Sequence, residues 1–181
     1  MEENAATLEI CLLNVQGLTQ DKLILIQDFI NKGHPTAIFL TETQWKFLRL
    51  NIPDGVMVCS SMRHVSDKRG GGLMFLARSS AGMEVQQREV GSPDVMSLEV
   101  ILKGCATQFV LVYMDTADAN RNEKILGIVR GILNDVKADD NLVLLGDFNG
   151  HIGFIGPQEL NKNGRNVLKL MEDYNLTLLN G

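Results

Sequence analysis

The chain has 181 residues, of which 45% are hydrophobic and 22% charged, the balance of an ordinary globular protein with a sizeable core. Seventeen Lys and Arg against 22 Asp and Glu give 17 − 22 = −5, which excludes nucleic-acid binding through a generally basic surface. A local basic patch or a metal-bridged phosphate contact is compatible with that charge.

Short apolar runs alternate with helical patterns, and the mixture predicts an α/β fold in which helices cover the sheets. Strand patterns occupy eight segments: 8–14, 36–42, 55–61, 71–78, 83–90, 95–102, 107–113 and 141–149. Apolar residues at helical spacing predict helices over 19–33, 120–137 and 163–174. Neither a repeat nor a linker interrupts the pattern, so we expect one domain over residues 1–181.

The helix boundaries carry their own signals. Thr19 is predicted to cap the first helix and Gly33 to end it, while Asn120 and Asn163 are predicted to cap the other two. In the first helix Phe29 belongs to the apolar stripe that is expected to face the sheet.

The cysteines and the amino terminus indicate an intracellular protein. The sequence has three cysteines, Cys11, Cys59 and Cys105, and no two of them form a Cys-x-x-Cys pair. We predict that they are reduced, mostly buried thiols. The acidic start lacks the regions of a signal peptide, and no apolar run is long enough to span a membrane.

Polar side chains stand where the four most apolar strands end. These residues are Asn14, Glu42, Tyr113, and the pair Asp147 and Asn149. Sites in α/β proteins gather at strand ends, because the sheet holds the side chains rigidly there. If the ends converge, two carboxylates and two amides form the oxygen-rich site that Mg²⁺ prefers, with a phenol to contact phosphate. The set indicates metal-assisted attack on a phosphodiester.

Each residue also has an ordinary structural interpretation. Glu42 lies in the segment Thr41-Glu42-Thr43-Gln44, which fits a capping box at a helix start, and Asn14 fits a turn. Tyr113 fits an aromatic residue at the core edge, and Asp147 with Asn149 fits a turn after a strand. Spacing alone does not decide between these alternatives.

Five segments, in their order along the chain, resemble the endonuclease/exonuclease/phosphatase family. The segments are LNVQGL (13–18), FLTET (39–43), RGGGLMFLAR (69–78), LVYMD (111–115) and GDFNGHIG (146–153). The sequence is most similar to the endonuclease domain of LINE-type (non-LTR) retrotransposons, which accompanies a reverse transcriptase. The resemblance implies a two-sheet α/β sandwich flanked by helices.

The resemblance also implies roles and a substrate. Glu42 would bind Mg²⁺, or alternatively Mn²⁺, with Asn14 beside it in the metal pocket. Tyr113 would contact the scissile phosphate, Asp147 would orient or deprotonate the attacking water, and Asn149 would hold a phosphate oxygen. The substrate would be DNA, nicked in one strand to leave a 3′-hydroxyl, and an intracellular location including the nucleus fits that substrate.

Basic residues near the glycine turn at 68–72 have two interpretations. These residues are Arg63, Lys68, Arg69 and Arg78. They could contact the DNA backbone, or they could form a solvated basic turn, and the sequence is equally compatible with both interpretations.

The sequence departs from the family pattern at its carboxyl end. The family carries a late Ser-Asp-His-like tripeptide, with a metal-binding Asp and an essential His, and a further supporting Asp; this sequence reaches Gly181 without them. His34, His64 and His151 do not belong to such a motif. We therefore expect an incomplete sandwich, weak or absent activity for the fragment, and self-association through its carboxyl-terminal side.

Three functions follow from these features. The first is a Mg²⁺-dependent endonuclease of retrotransposon origin. The second is a non-catalytic relic of that fold that binds nucleic acid or protein. The third, a phosphoesterase for small phosphate esters, has no sequence feature of its own.

Overall fold

The computed structural model describes residues 8–32, 35–44, 55–61, 71–137, 139–153 and 159–179. Within them the elements follow one another in this order: β1 (Ile10–Asn14), α1 (Gln20–Asn31), β2 (Ala37–Thr41), β3 (Val56–Ser61), β4 (Leu73–Arg78), β5 (Met83–Arg88), β6 (Val95–Leu102), β7 (Cys105–Tyr113), α2 (Ala119–Asp135), β8 (Asn141–Asp147) and α3 (Lys162–Asp173). Each predicted strand and helix is present, and no boundary shifts by more than two residues.

The strands form two four-stranded sheets of mixed direction. The first has the order β1-β2-β4-β3 and the second the order β5-β6-β7-β8. In each sheet one edge strand is parallel to its neighbour: β1 pairs with β2, and β8 pairs with β7. Both parallel pairs therefore present the carboxyl ends of their strands at one end of their own sheet, where their terminal side chains can meet.

Three apolar layers hold the sheets and helices together. The facing sides of the two sheets enclose a core that includes Phe39, Phe75 and Phe109, and the rings of the last two lie 5.1 and 5.3 Å from that of Phe39. A second layer lies between the other side of the second sheet and α2 with α3, and a third between the first sheet and α1. The α/β sandwich flanked by helices is therefore confirmed.

The observed cap residues show that two of the three predicted helix starts were wrong. Thr19 caps α1 as expected, because its side chain accepts a hydrogen bond from the N–H of Lys22. Asp118, not Asn120, caps α2 by accepting from the N–H of Arg121. Asn161, not Asn163, caps α3, where its side chain accepts from Gly164. Gly33, the predicted end of α1, lies outside the described residues.

The Asp115 side chain explains the earlier start of α2. Its carboxylate accepts the backbone N–H groups of Ala117 and Asp118, and the turn so formed brings Asp118 to the cap position. The N-terminal shift of the helix therefore follows from a local side-chain-to-backbone bond.

Two predictions about side chains were wrong, and one predicted turn lies mostly outside the described residues. Phe29 is 49% exposed, because the side of α1 that faces the sheet is formed by Leu23, Ile26 and Ile30. Cys105 is exposed, and Cys11 and Cys59 are half-buried, so the free thiols are not mostly buried. Of the turn at 68–72, only the last two glycines lie within the described chain.

No helix in the described segments is both long enough and apolar enough to cross a membrane.

Candidate active site

Three of the polar strand ends meet across the two sheets. The Asn14 amide, at the end of β1, donates to Oε1 of Glu42 at 3.0 Å and to Oδ2 of Asp147 at 2.8 Å. One amide nitrogen thus joins a carboxylate that follows β2 to a carboxylate at the end of β8. Asn14 and Asp147 are 133 residues apart in the sequence, so only the packing of the two sheets brings them together.

The loops after β1 and β2 hold the first two residues in place. The backbone N–H of Gly17 donates to the Glu42 carbonyl at 2.8 Å, and that of Gln16 donates to Oδ1 of Asn14 at 3.1 Å. The Lys22 ammonium, from the first turn of α1, donates to the carbonyls of Val15 and Gly17 at 2.7 and 2.9 Å. A helix lysine therefore fixes the loop that follows Asn14.

Tyr113 lies beside Asp147 in the second sheet. The two residues are register partners in the parallel pair of β7 and β8, and Tyr113 belongs to the core between the sheets. Because register partners point to the same face, the phenol and the carboxylate both face the first sheet. Tyr113 is 6% exposed, so its ring is held by packing.

Asn149 has its side chain turned to the backbone. Its backbone N–H donates to Oδ1 of Asp147 at 3.1 Å, and its amide donates to the Met114 carbonyl at 2.7 Å. The Asp147 carboxylate therefore accepts from Asn14 on one oxygen and from Asn149 on the other. One N–H of the Asn149 amide is used by the Met114 carbonyl, and within the described chain the other is free to donate to a phosphate oxygen. Contact between Asn149 and phosphate stays a prediction.

Three further asparagines support this turn, and the sequence analysis missed their role. Asn161 and Asn163 at the start of α3 donate to the carbonyls of Asn149 and Phe148, and Asn122 of α2 donates to Asn163. Local signals existed in the sequence: 120–122 and 161–166 contain more asparagines than one cap at each helix start requires.

The remaining candidates do not join the site in the described chain. Arg78 ends β4, and since β2 and β4 are antiparallel it lies at the opposite end of the first sheet from Glu42. Lys68 and Arg69 lie outside the described residues, as do Arg63, His34 and His64. His151 is exposed and has its backbone N–H bonded to Asn161.

The residues at the site fit a hard divalent cation. Glu42 and Asp147 supply half-buried carboxylates, and Thr41, the register partner of Asn14, has a fully buried hydroxyl without a hydrogen-bond partner in the described chain. No group of three or more His, Cys, Asp or Glu residues that could hold a metal occurs among the described residues. Mg²⁺ needs only one or two carboxylates, completed by waters and substrate phosphate, so this donor set suffices.

A cavity of about 490 Å³ lies away from these residues. It is lined by Glu99, Asp135, Asp139 and Asn141, and Asn141 begins β8, the strand that ends at Asp147. An acidic lining repels phosphate, so this cavity is not the candidate active site.

The comparisons with known proteins agree with the geometry. The model of the endonuclease/exonuclease/phosphatase family matches residues 11–175. The endonuclease domain of TRAS1, a telomere-specific non-LTR retrotransposon, superposes with a TM-score of 0.73 at 15% identity, covering 94% of this chain and 73% of that one. The AP endonuclease LMAP from Leishmania major gives 0.68 at 13% identity, covering 91% and 66%.

A third solved structure, a variant of the 3′ phosphatase NExo from Neisseria bound to product DNA hairpin, gives a TM-score of 0.55 at 18% identity. That alignment covers 82% of this chain and 60% of the phosphatase. At such identities the structural similarity shows a shared fold. No curated protein matches the sequence.

Proposed function

Because the chain belongs to the endonuclease/exonuclease/phosphatase family, we propose that it is a Mg²⁺-dependent phosphodiesterase domain that nicks DNA. The single observation that carries the proposal is the Asn14 amide shared by the carboxylates of Glu42 and Asp147. A group able to hold a metal and a group able to accept a proton from water are thereby fixed next to each other, as metal-assisted hydrolysis requires.

The residues divide the work by their chemistry. Glu42 would hold Mg²⁺, with Asn14 beside it, and the bound ion would stabilise negative charge on the phosphate. Asp147 accepts a proton from the water whose oxygen bonds to phosphorus, the bond from phosphorus to the 3′ oxygen breaks, and that oxygen takes a proton from solvent water to become the 3′-hydroxyl. The Tyr113 phenol donates to a phosphate oxygen, and so does the Asn149 amide.

The origin and the partner follow from the same proposal. The TRAS1 domain is a retrotransposon endonuclease, and the Neisseria phosphatase was solved with a DNA product. We propose DNA as the partner and a retrotransposon, with its reverse transcriptase, as the origin. We also propose an intracellular location, including the nucleus, where DNA is available as substrate.

Nicking of supercoiled plasmid tests the proposal. We expect wild-type protein at high enzyme concentration to convert it slowly to open circles in Mg²⁺, in keeping with the weak activity expected from the sequence, and chelator to stop the reaction. We expect Asp147→Ala to lower the rate by about 100-fold or more, the order of effect of removing a positioned proton acceptor. Asp173→Ala is the matched control, because Asp173 is an exposed carboxylate in the last turn of α3. Failure of wild-type protein to nick at high enzyme and Mg²⁺ concentrations would remove the enzyme proposal.

The alternative function is a non-catalytic module that binds nucleic acid or protein. One observation favours it: within the described chain, no imidazole forms a hydrogen bond with Asn14, Glu42 or Asp147. DNA binding that persists in chelator, measured by fluorescence anisotropy and accompanied by no nicking, would support this alternative.

A further inference from the structure

Two buried asparagines connect the helices of the second sheet to the turn after β8. Asn122 lies in the first turn of α2 and Asn163 in the first turn of α3, and the two residues are 3% and 7% exposed. The Asn122 amide donates to Oδ1 of Asn163 at 3.1 Å. Neither residue caps its helix, so capping does not explain why two amides lie in this apolar layer.

Every amide proton of the pair has a backbone acceptor or the partner asparagine. Asn163 donates to the carbonyls of Phe148 and Asp115, both at 3.1 Å. Asn122 donates to the Asp115 carbonyl at 2.7 Å and accepts from the Asp115 N–H at 2.8 Å. The pair therefore binds the chain just after β7 and just after β8, the two strands that end in Tyr113 and Asp147.

The bond to Phe148 acts directly on the site. Phe148 stands between Asp147 and Asn149, so its carbonyl sets the plane of the peptide that leads into Asn149. Asn161 holds the next carbonyl, that of Asn149, at 2.9 Å. Two successive carbonyls of the turn are thus fixed by side chains from the start of α3.

A satisfied polar network in a low-dielectric layer specifies one geometry, because each alternative arrangement leaves a buried group without its bond. We propose that Asn122 and Asn163 are positioning residues that hold the 147–151 turn, and with it the Asp147 carboxylate, in the geometry of the site. They touch no substrate. Their importance for turnover rests on the proposed function, whereas their effect on the turn does not.

Substitution of the donors separates positioning from stability. Asn163→Asp keeps the shape but places an acceptor against the carbonyls of Phe148 and Asp115. Asn122→Ser is the second variant, for the case in which Asn163→Asp does not fold. Tyr174→Phe is the matched control, since the Tyr174 hydroxyl bonds Asn134 of α2 at 3.0 Å and thus joins the same two helices far from the turn.

Two measurements give independent results. In plasmid nicking we expect both asparagine variants to lower kcat by about 100-fold with little change in KM, as a misplaced reacting group does, and Tyr174→Phe to change neither. By hydrogen exchange, the N–H groups of Asn149 and His151, which donate to Asp147 and Asn161, should exchange at least about tenfold faster in the asparagine variants only.

Each outcome decides the proposal. Faster exchange at Asn149 and His151 with unchanged amides in β6 supports positioning of the turn, and a fall in kcat extends it to turnover. Unchanged exchange in both folded variants, or equal effects in Tyr174→Phe, would overturn it. If wild-type protein does not nick, the proposed function fails, and the exchange rates still decide whether the asparagines hold the turn.

Discussion

The loops of the candidate active site contain several residues with an unusual, left-handed backbone conformation. Four non-glycine residues in its loops have left-handed φ angles: Gln16 (46°), Glu42 (52°), Gln44 (47°) and Asn149 (47°). Asparagine tolerates this region, but a glutamate or glutamine there costs about 1–3 kcal/mol. Such strain persists only where surrounding contacts impose it. At Glu42, the hydrogen bond from the Gly17 N–H to the Glu42 carbonyl holds the strained conformation.

Thr41 provides a stability test at the residue scale. Its buried hydroxyl has no hydrogen-bond partner in the described chain, and an unpaired buried polar group costs about 1–3 kcal/mol. We expect Thr41→Val, which has nearly the same shape, to raise the free energy of unfolding by about 1 kcal/mol in urea denaturation. Ser97→Ala is the control: Ser97 is equally buried but accepts from Gln108, so its loss should destabilise. A less stable Thr41→Val protein would show that the hydroxyl has a partner.

The cysteines give a second residue-scale prediction. Burial raises the pKa of the Cys11 and Cys59 thiols, while Cys105 is exposed. A raised pKa leaves less thiolate at a given pH, so Cys11 and Cys59 should react with a disulfide reagent more slowly than Cys105 near pH 8. Their rates should still rise as the pH passes above the ordinary thiol pKa. Mass spectrometry of partly modified protein gives the order, and early labelling of Cys59 would contradict it.

At the scale of elements, the start of α3 and the turn after β8 form one packed unit. Gly164 lies in the first turn of α3, and a Cβ atom there would stand 2.0 Å from the His151 carbonyl oxygen. A Cβ atom added to Gly150 would stand 3.1 Å from the backbone nitrogen of Gly164, a tighter contact than most Cβ atoms make. Glycine is needed at these points because two backbones approach each other, and the approach is what brings Asn161 and Asn163 to the turn.

Gly164→Ala should therefore destabilise the protein by about 2 kcal/mol or more, since the backbone has to move to admit the methyl group. The matched control is Gly127→Ala in α2, where nothing lies within 4 Å of the added atom. Alanine should stabilise that exposed helical position by about 0.5–1 kcal/mol. Urea denaturation of both variants measures the difference, and equal stabilities would show that α3 can shift away from the turn without cost.

The helix caps show the limit of local prediction at this scale. Apolar spacing placed all three helices, but the caps of α2 and α3 lie two residues before the predicted asparagines. Asn163 has the residue type of a cap, yet its amide bonds the carbonyls of Phe148 and Asp115. A cap and a network member have the same local sequence signal, and only the neighbouring elements distinguish them.

At the scale of the whole molecule, each sheet has an unpaired edge strand next to the candidate active site, and these edges bear on self-association. Among the described strands, β1 pairs only with β2 and β8 only with β7, and the carboxyl ends of these two edge strands meet at the bond between Asn14 and Asp147. Ile10 and Leu12 of β1, on the same face as Asn14, are each 38% exposed. Unpaired edges with exposed apolar side chains favour pairing with another chain, so we propose self-association at this side.

Sedimentation velocity over a range of protein concentrations tests this proposal. We expect a concentration-dependent dimer that Leu12→Lys abolishes, because a charge on the β1 edge disfavours strand pairing. Leu25→Lys is the matched control, since Leu25 is a more exposed leucine on α1, 68% accessible, away from the edge. Wild-type protein that stays monomeric at every concentration would exclude the association.

The sequence by itself determined the strands, the helices and the chemical types at the strand ends. Those features depend on spacings of two and 3.6 residues, which a short segment contains in full. The tertiary structure alone decided that Asn14 contacts Glu42 and Asp147, from 28 and 133 residues away, and that Asn163 supports the turn. The physical reason is that a hydrogen bond between two sheets depends on how their faces pack, and no local spacing contains that information.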